Sequence, residues 1–261
     1  MNGGKRPLGY TIIEVMIVLA VSGLMFVIAG NFISGKQAKT SFNSGSNEMA
    51  SRVTDVIGQV NSGHYSDQAF TCVSSSDGSP PQIKANDANQ SARSGKNFGC
   101  VFLGKLIHFK DGEPTKYEVF SLTGNRLKTG DKPAINLADV TPTIIKSNDG
   151  TFDLTLQQTV PQQLDVKAVK VDGRSASGFG FVQGLGTATV ASDANYESGS
   201  QSIRMVYTTG VITSNTPSLS FGREATICLS DDTRWAVVTV TLSSATTKFY
   251  GDPLDTGGLC S

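Results

Sequence analysis

From Tyr10 to Ala29 the chain is apolar almost without interruption, and the single acidic residue in that run, Glu14, comes five residues into it. Twenty helical residues rise about 30 Å, the thickness of a bilayer's hydrocarbon core. Lys5 and Arg6 precede the run, so the positive-inside rule puts the N-terminus in the cytoplasm and everything after Gly30 outside. A carboxylate within an apolar helix costs about 2.5–3.5 kcal/mol near the centre of a bilayer, and less near its edge. A passive anchor would gain from a leucine at that position, so Glu14 needs a partner. If the chain is cut after Gly9, the new α-amino group of Tyr10 offers one, four residues away. In a helical polymer, Glu14 of one subunit would meet the Tyr10 ammonium of its neighbour, and breaking such a pair would cost about 3–5 kcal/mol. Glu14 then fixes the register between subunits. The plainer alternative is a glutamate that snorkels to the headgroups.

The chain does not turn into a loop after Gly30. Phe42, Met49, Val53, Ile57 and Val60 recur at helical spacing, flanked by Lys36, Lys39, Glu48, Arg52 and Asp55. This predicts an amphipathic continuation over residues 31–62. Asn61-Ser62-Gly63 supplies the stop. Joined to the apolar run, the helix would span roughly 80 Å, with Gly30-Asn31 and Ser34-Gly35 as places to bend or melt.

Beyond Gly63 the pattern becomes that of strands. Residues 74–97 read as an extended polar surface loop. Strands are expected over residues 100–109, 116–122, 151–159, 164–171, 178–182, 201–208, 224–230, 234–242 and 247–250, with Asp111-Gly112, Asp149-Gly150 and Asp172-Gly173 as turns. The predicted fold is therefore α+β: a long N-terminal helix, half membrane-spanning and half amphipathic, packed on a predominantly antiparallel β head. The predicted organisation is a leader at 1–9, a core helix at 10–30, its amphipathic continuation at 31–62 and a head at 63–261.

Cys72, Cys100, Cys228 and Cys260 form no C-x-x-C pair, and only His64 and His108 could join them in a zinc site. Beyond an export-type segment, four widely spaced cysteines read as two disulfides. Three connectivities are open. Cys72–Cys100 with Cys228–Cys260 is favoured because each pair brackets one loop-rich stretch.

Gly9-Tyr10-Thr11-Ile12-Ile13-Glu14-Val15-Met16-Ile17-Val18-Leu19-Ala20 resembles the prepilin cleavage and methylation motif of type IV pilins and type II secretion pseudopilins. Gly9 matches the residue before the cut, Tyr10 the new N-terminus (where phenylalanine is commoner), and Glu14 the glutamate five residues into the mature chain. Gly23 matches a glycine common in the family's helix. Asn31 departs from the pattern, since many major pilins carry proline there. The resemblance covers about thirty residues. It implies that a membrane aspartyl peptidase cuts between Gly9 and Tyr10 and N-methylates Tyr10. It also implies a helix packed in a filament core and a head facing solvent. The implied partners are other pilin subunits, the prepilin peptidase and an inner-membrane assembly platform. The Cys228…Cys260 spacing is similar to the disulfide-bounded terminal region of type IV pilins.

The head shows no catalytic constellation: there is no G-x-S-x-G, H-E-x-x-H or P-loop. No enzyme activity, cofactor or metal is expected. Asp231-Asp232 and Asp252…Asp255 are weak calcium candidates that read first as turns. Gly178-Phe179-Gly180 and Gly184-Leu185-Gly186 read as tight β connections. Trp235, Phe98, Phe102 and Phe109 read as core. Lys167, Lys170 and Arg174 would hold nucleic acid at most weakly, and 22 basic against 22 acidic residues give no general attraction to it. Loss of residues 1–9 removes Lys5 and Arg6 and leaves a net −2.

The expected function is that of a structural subunit, minor rather than major given the bulky head, of a type IV pilus or pilus-like filament. It would be held in the cell membrane before assembly and extracellular afterwards. The alternatives are a pseudopilin of a type II secretion or DNA-uptake system and, in another class, a membrane-tethered adhesin or enzyme with an uncleaved anchor.

Overall fold

The computed structural model describes residues 11–63, 70–73, 79–85, 100–125, 127–128, 132–133, 140–147, 153–184 and 203–260. The chain divides into two compact units, Met1–Asn43 and Ser44–Ser261.

One helix, α1 (Ile12–Asn61, 50 residues), runs from the first unit into the second. It stays helical through Gly30-Asn31 and Ser34-Gly35, where a bend or melting was expected. At its start, the Glu14 N–H reaches the Thr11 hydroxyl at 3.3 Å, an N-cap with the acidic residue in the first turn. At its end, Gly63 takes a left-handed φ of 64° and its N–H closes on the Val60 carbonyl at 3.0 Å.

The rest of the second unit is antiparallel. Two strands, β1 (Phe70–Val73) and β2 (Gln82–Ala85), form a ribbon. The larger sheet contains β3 (Cys100–Phe109), β4 (Lys116–Asn125), β7 (Thr143–Ile144), β8 (Leu156–Thr159), β11 (Gly178–Gln183), β12 (Ile203–Thr208) and β13 (Ser220–Gly222). Its order is β13-β12-β11-β3-β4-β7, with β8 also pairing with β4. A second ribbon joins β5 (Leu127–Lys128) to β6 (Lys132–Pro133). A five-stranded sheet orders β9 (Asp165–Val171), β10 (Arg174–Ser175), β14 (Ala225–Ser230), β15 (Trp235–Val240) and β16 (Ala245–Tyr250) as β10-β9-β14-β15-β16.

The two faces of the larger sheet differ. Leu106, Phe120, Leu122, Val182 and Val206 cluster on one, joined by Leu103, Val140 and Ile144. On the other, Phe109, Tyr117, Phe179 and Phe181 meet ring to ring. The second half of α1 lies on this aromatic face, presenting buried Met49, Val53, Val56, Ile57 and Val60.

The expected α+β class with a membrane-spanning helix half does not stand. The described residues are mostly antiparallel sheet, and no helix among them is long and apolar enough to cross a membrane.

Two readings of the head are also corrected. Residues 82–85 lie within the stretch expected to be all loop, yet they form β2, because Ile83 packs into a buried cluster with Cys72, Cys100, Ile145 and Leu154. Gly178 and Gly180 fall in the strand expected over 178–182, and their second reading as a tight connection is corrected: they belong to β11. A Cβ on either would strike the carbonyl of Ile107 or Lys105 on β3, so glycine is what permits this close strand approach.

Candidate assembly surface

The first unit presents apolar side chains with nothing on them. Ile12, Ile13, Val15 to Leu19, Val21 and Leu24 to Ile28 are all exposed; Met16 and Met25 are 65% and 67% accessible, whereas Met49 farther along the same helix is 0%. A continuous apolar surface of this kind marks a site of association. Glu14 sits among these residues. Its place in the first turn of α1 gives it a favourable position at the positive end of the helix dipole. Gly9 and Tyr10 lie outside the described residues.

The second half of α1 is held by polar contacts as well as by its apolar stripe. Arg52, expected only to flank that stripe, is a hub. It donates to Glu48 Oε1 at 2.7 Å, to the Tyr117 hydroxyl at 3.2 Å, to Gln158 Oε1 at 3.4 Å and to the Thr159 carbonyl at 3.0 Å. The Tyr117 contact, offset by partial burial and aided by Glu48, leaves the guanidinium's pKa above its ordinary value. The Lys105 ammonium, buried beneath the helix end, donates to Gln59 Oε1 at 2.5 Å. Burial pushes its pKa down. The Gln183 amide donates to the Val60 carbonyl, which also accepts the Gly63 N–H at the helix end. Gly45 completes the seat: a Cβ there would come within 3.0 Å of Gln162 and the Pro161 carbonyl.

The disulfides join Cys72 to Cys100 and Cys228 to Cys260, with sequence separations of 28 and 32. The second ties the C-terminal turn (Pro253–Thr256) and its sequel to β14, and Lys170 Nζ donates to the Gly258 carbonyl on the same segment at 3.2 Å. The remaining candidates are occupied locally. The Asp231 carboxylate accepts from the Arg234 and Thr233 backbones and from the Arg234 guanidinium. Burial raises its pKa, but these bonds prevail and hold it below the ordinary value. Asp232 and Asp165 share the Lys167 ammonium. Asp252 caps the Leu254 N–H at 2.8 Å. No group of three or more metal-ligating side chains occurs among the described residues. Trp235 is only half-buried, as is Phe102, whereas Phe109 is core; Phe98 and His64 lie outside the described residues.

His108 is an unforeseen oddity. On the sheet face away from α1, it is buried, and neither ring nitrogen has a hydrogen-bond partner. Burial pushes its pKa down. Glu118 and the nearby Gly210 backbone, which is outside bonding geometry, oppose that only partly.

What is assembled here is a disulfide-tied β head that seats half a helix and leaves the helix's other half uncovered. No family model, curated protein or solved structure matches the chain.

Proposed function

We propose that the chain is a structural subunit, minor rather than major, of a type IV pilus or pilus-like filament, assembled by packing its apolar N-terminal arm against the arms of other copies. The observation that carries this reading is the contrast along α1. The same helix that buries Met49, Val53 and Ile57 against its own head leaves Ile12 to Ile28 uncovered. Exposed apolar area of that extent costs roughly 25 cal/mol per Å² until it is covered. A bundle of like helices covers it while admitting one carboxylate per copy, provided each meets a cation.

Cleavage between Gly9 and Tyr10 supplies that cation as the Tyr10 ammonium, with prepilin peptidase and an inner-membrane platform as the further partners. The head then lies outside the cytoplasm, in keeping with two disulfides. Intact-mass and N-terminal analysis of native material tests the reading. Loss of residues 1–9 with a methylated Tyr10 is expected. Retention of Met1, or a cut beyond Ala29, would overturn it in favour of a tethered adhesin or enzyme.

A further inference from the structure

A second site lies where the chain leaves the larger sheet at β13 and enters the five-stranded sheet at β14. Strands β12 and β13 pair Val206 with Phe221 and Met205 with Gly222. Arg204 of β12 and Arg223, in the bend that follows β13, both line the recess beside Phe221. Like charges gathered in one recess repel each other unless something neutralises them. Among the described residues neither guanidinium has an ion pair. Arg204 instead lies 5.7 Å from the centre of the Phe221 ring.

The one carboxylate in the recess, Asp172, is already engaged. It accepts the Arg223 N–H at 3.2 Å and the Glu224 N–H at 3.1 Å from a turn where its own φ is 49°. The floor is closed by Gly222, whose Cβ would collide with Val171 of the neighbouring sheet. Phe221, at 58% exposure, and Leu242, at 41%, form apolar walls. The recess is open to solvent, with a volume of about 240 Å³, below the usual range for drug-sized ligands and enough for a single ring.

We infer that this recess binds one carboxylate-bearing sugar residue of an acidic glycan, with Arg204 and Arg223 on the carboxylate and Phe221 against the ring's C–H face. Two planar guanidiniums suit a carboxylate's paired oxygens, and an exposed phenyl ring suits a flat apolar face. A uronic acid presents both on a body of this size, whereas an acidic peptide side chain presents only the anion. Nucleic acid is disfavoured because its affinity depends on many phosphate contacts, and the recess offers two cations on a chain of balanced charge.

The test titrates the full chain with a galacturonic acid trimer, the same trimer fully methyl-esterified, an oligothymidine of equal charge and a glutamate-rich peptide. Binding would be followed by saturation-transfer NMR and calorimetry. Saturable binding of the acidic trimer is expected and none of its ester, with about tenfold weakening in Arg204→Gln or Arg223→Gln and a smaller loss in Phe221→Ala. Because all three side chains are exposed, the variants should keep the wild-type unfolding midpoint. The inference is overturned if the trimer shows no saturation by about 10 mM, if the ester or the peptide binds equally well, if the oligonucleotide binds more tightly, or if the arginine variants bind as wild type does. None of these outcomes depends on whether residues 1–9 are removed, so this site and the filament reading can fail separately.

Discussion

Ile12–Ile28 and Ser44–Asn61 belong to one unbroken helix, yet they solve opposite problems. The second stretch has an apolar stripe that the head's aromatic sheet face covers, while Arg52 meets Tyr117, Gln59 meets Lys105 and the Val60 carbonyl accepts from Gln183. The first stretch is apolar all round, so no single sheet face could cover it. A helix with one greasy stripe is completed within its own chain; a helix greasy on every side is completed only by surroundings that enclose it. The boundary between the two compact units, after Asn43, falls where one pattern gives way to the other.

Substitutions can break that comparison. Val53→Asp places a charge in a fully buried site and should cost the head about 4–5 kcal/mol or more. Val21→Asp in the exposed stretch should leave head unfolding in denaturant unchanged. Equal losses would mean the arm is part of the head's core.

Replacing Cys228 and Cys260 by serine should cost about 3–4 kcal/mol for a loop of this length, again read by denaturant unfolding. A loss near zero would show that the C-terminal segment is held by its other contacts. Arg52→Ala should cost about 1–2 kcal/mol, because the Tyr117 hydroxyl and the Thr159 carbonyl lose a partner, a figure limited by the site's partial exposure. A silent Arg52→Ala would reduce the helix seat to its apolar stripe.

The smallest effect is one of pH. The folded state holds His108 below its ordinary pKa, so the folded protein binds fewer protons there than the unfolded chain. Stability should therefore fall as pH drops through the unfolded imidazole's value near 6.5 and on toward the folded one. His108→Phe should flatten the profile in that window; an unchanged slope would assign it to other groups.

The contrast along α1 was legible in the sequence because hydrophobic period is its direct cause, and β3, β4 and β15 were legible because their apolar runs are long. Other features are set by distant partners. Three-residue β13 exists through pairing with β12, and β2 through the cluster at Cys72–Cys100. The strand over 178–182 was legible although its glycines read as a connection, but nothing local reveals that β3 passes too close for a Cβ at Gly178 and Gly180. The phenylalanines alternating with them, at 179 and 181, were the signal for a strand. Arg52 was expected only to flank the helix stripe, and nothing in the local sequence marks Lys105 as buried. The spacing of Glu48 and Arg52 by four residues hinted at their ion pair but not at Tyr117 or Thr159. That Arg204 and Arg223 line one recess emerges only from the fold.

The central claim is that Ile12 to Ile28 are covered by other copies of the chain, and its native methionines test it. Sheared filaments, freed of membrane, would be treated with peroxide and mapped by mass spectrometry. Met16 and Met25 should resist oxidation as well as the fully buried Met49 and Met205 do. Oxidation of Met16 and Met25 at the rate of an exposed methionine, with Met49 and Met205 intact, would contradict the claim.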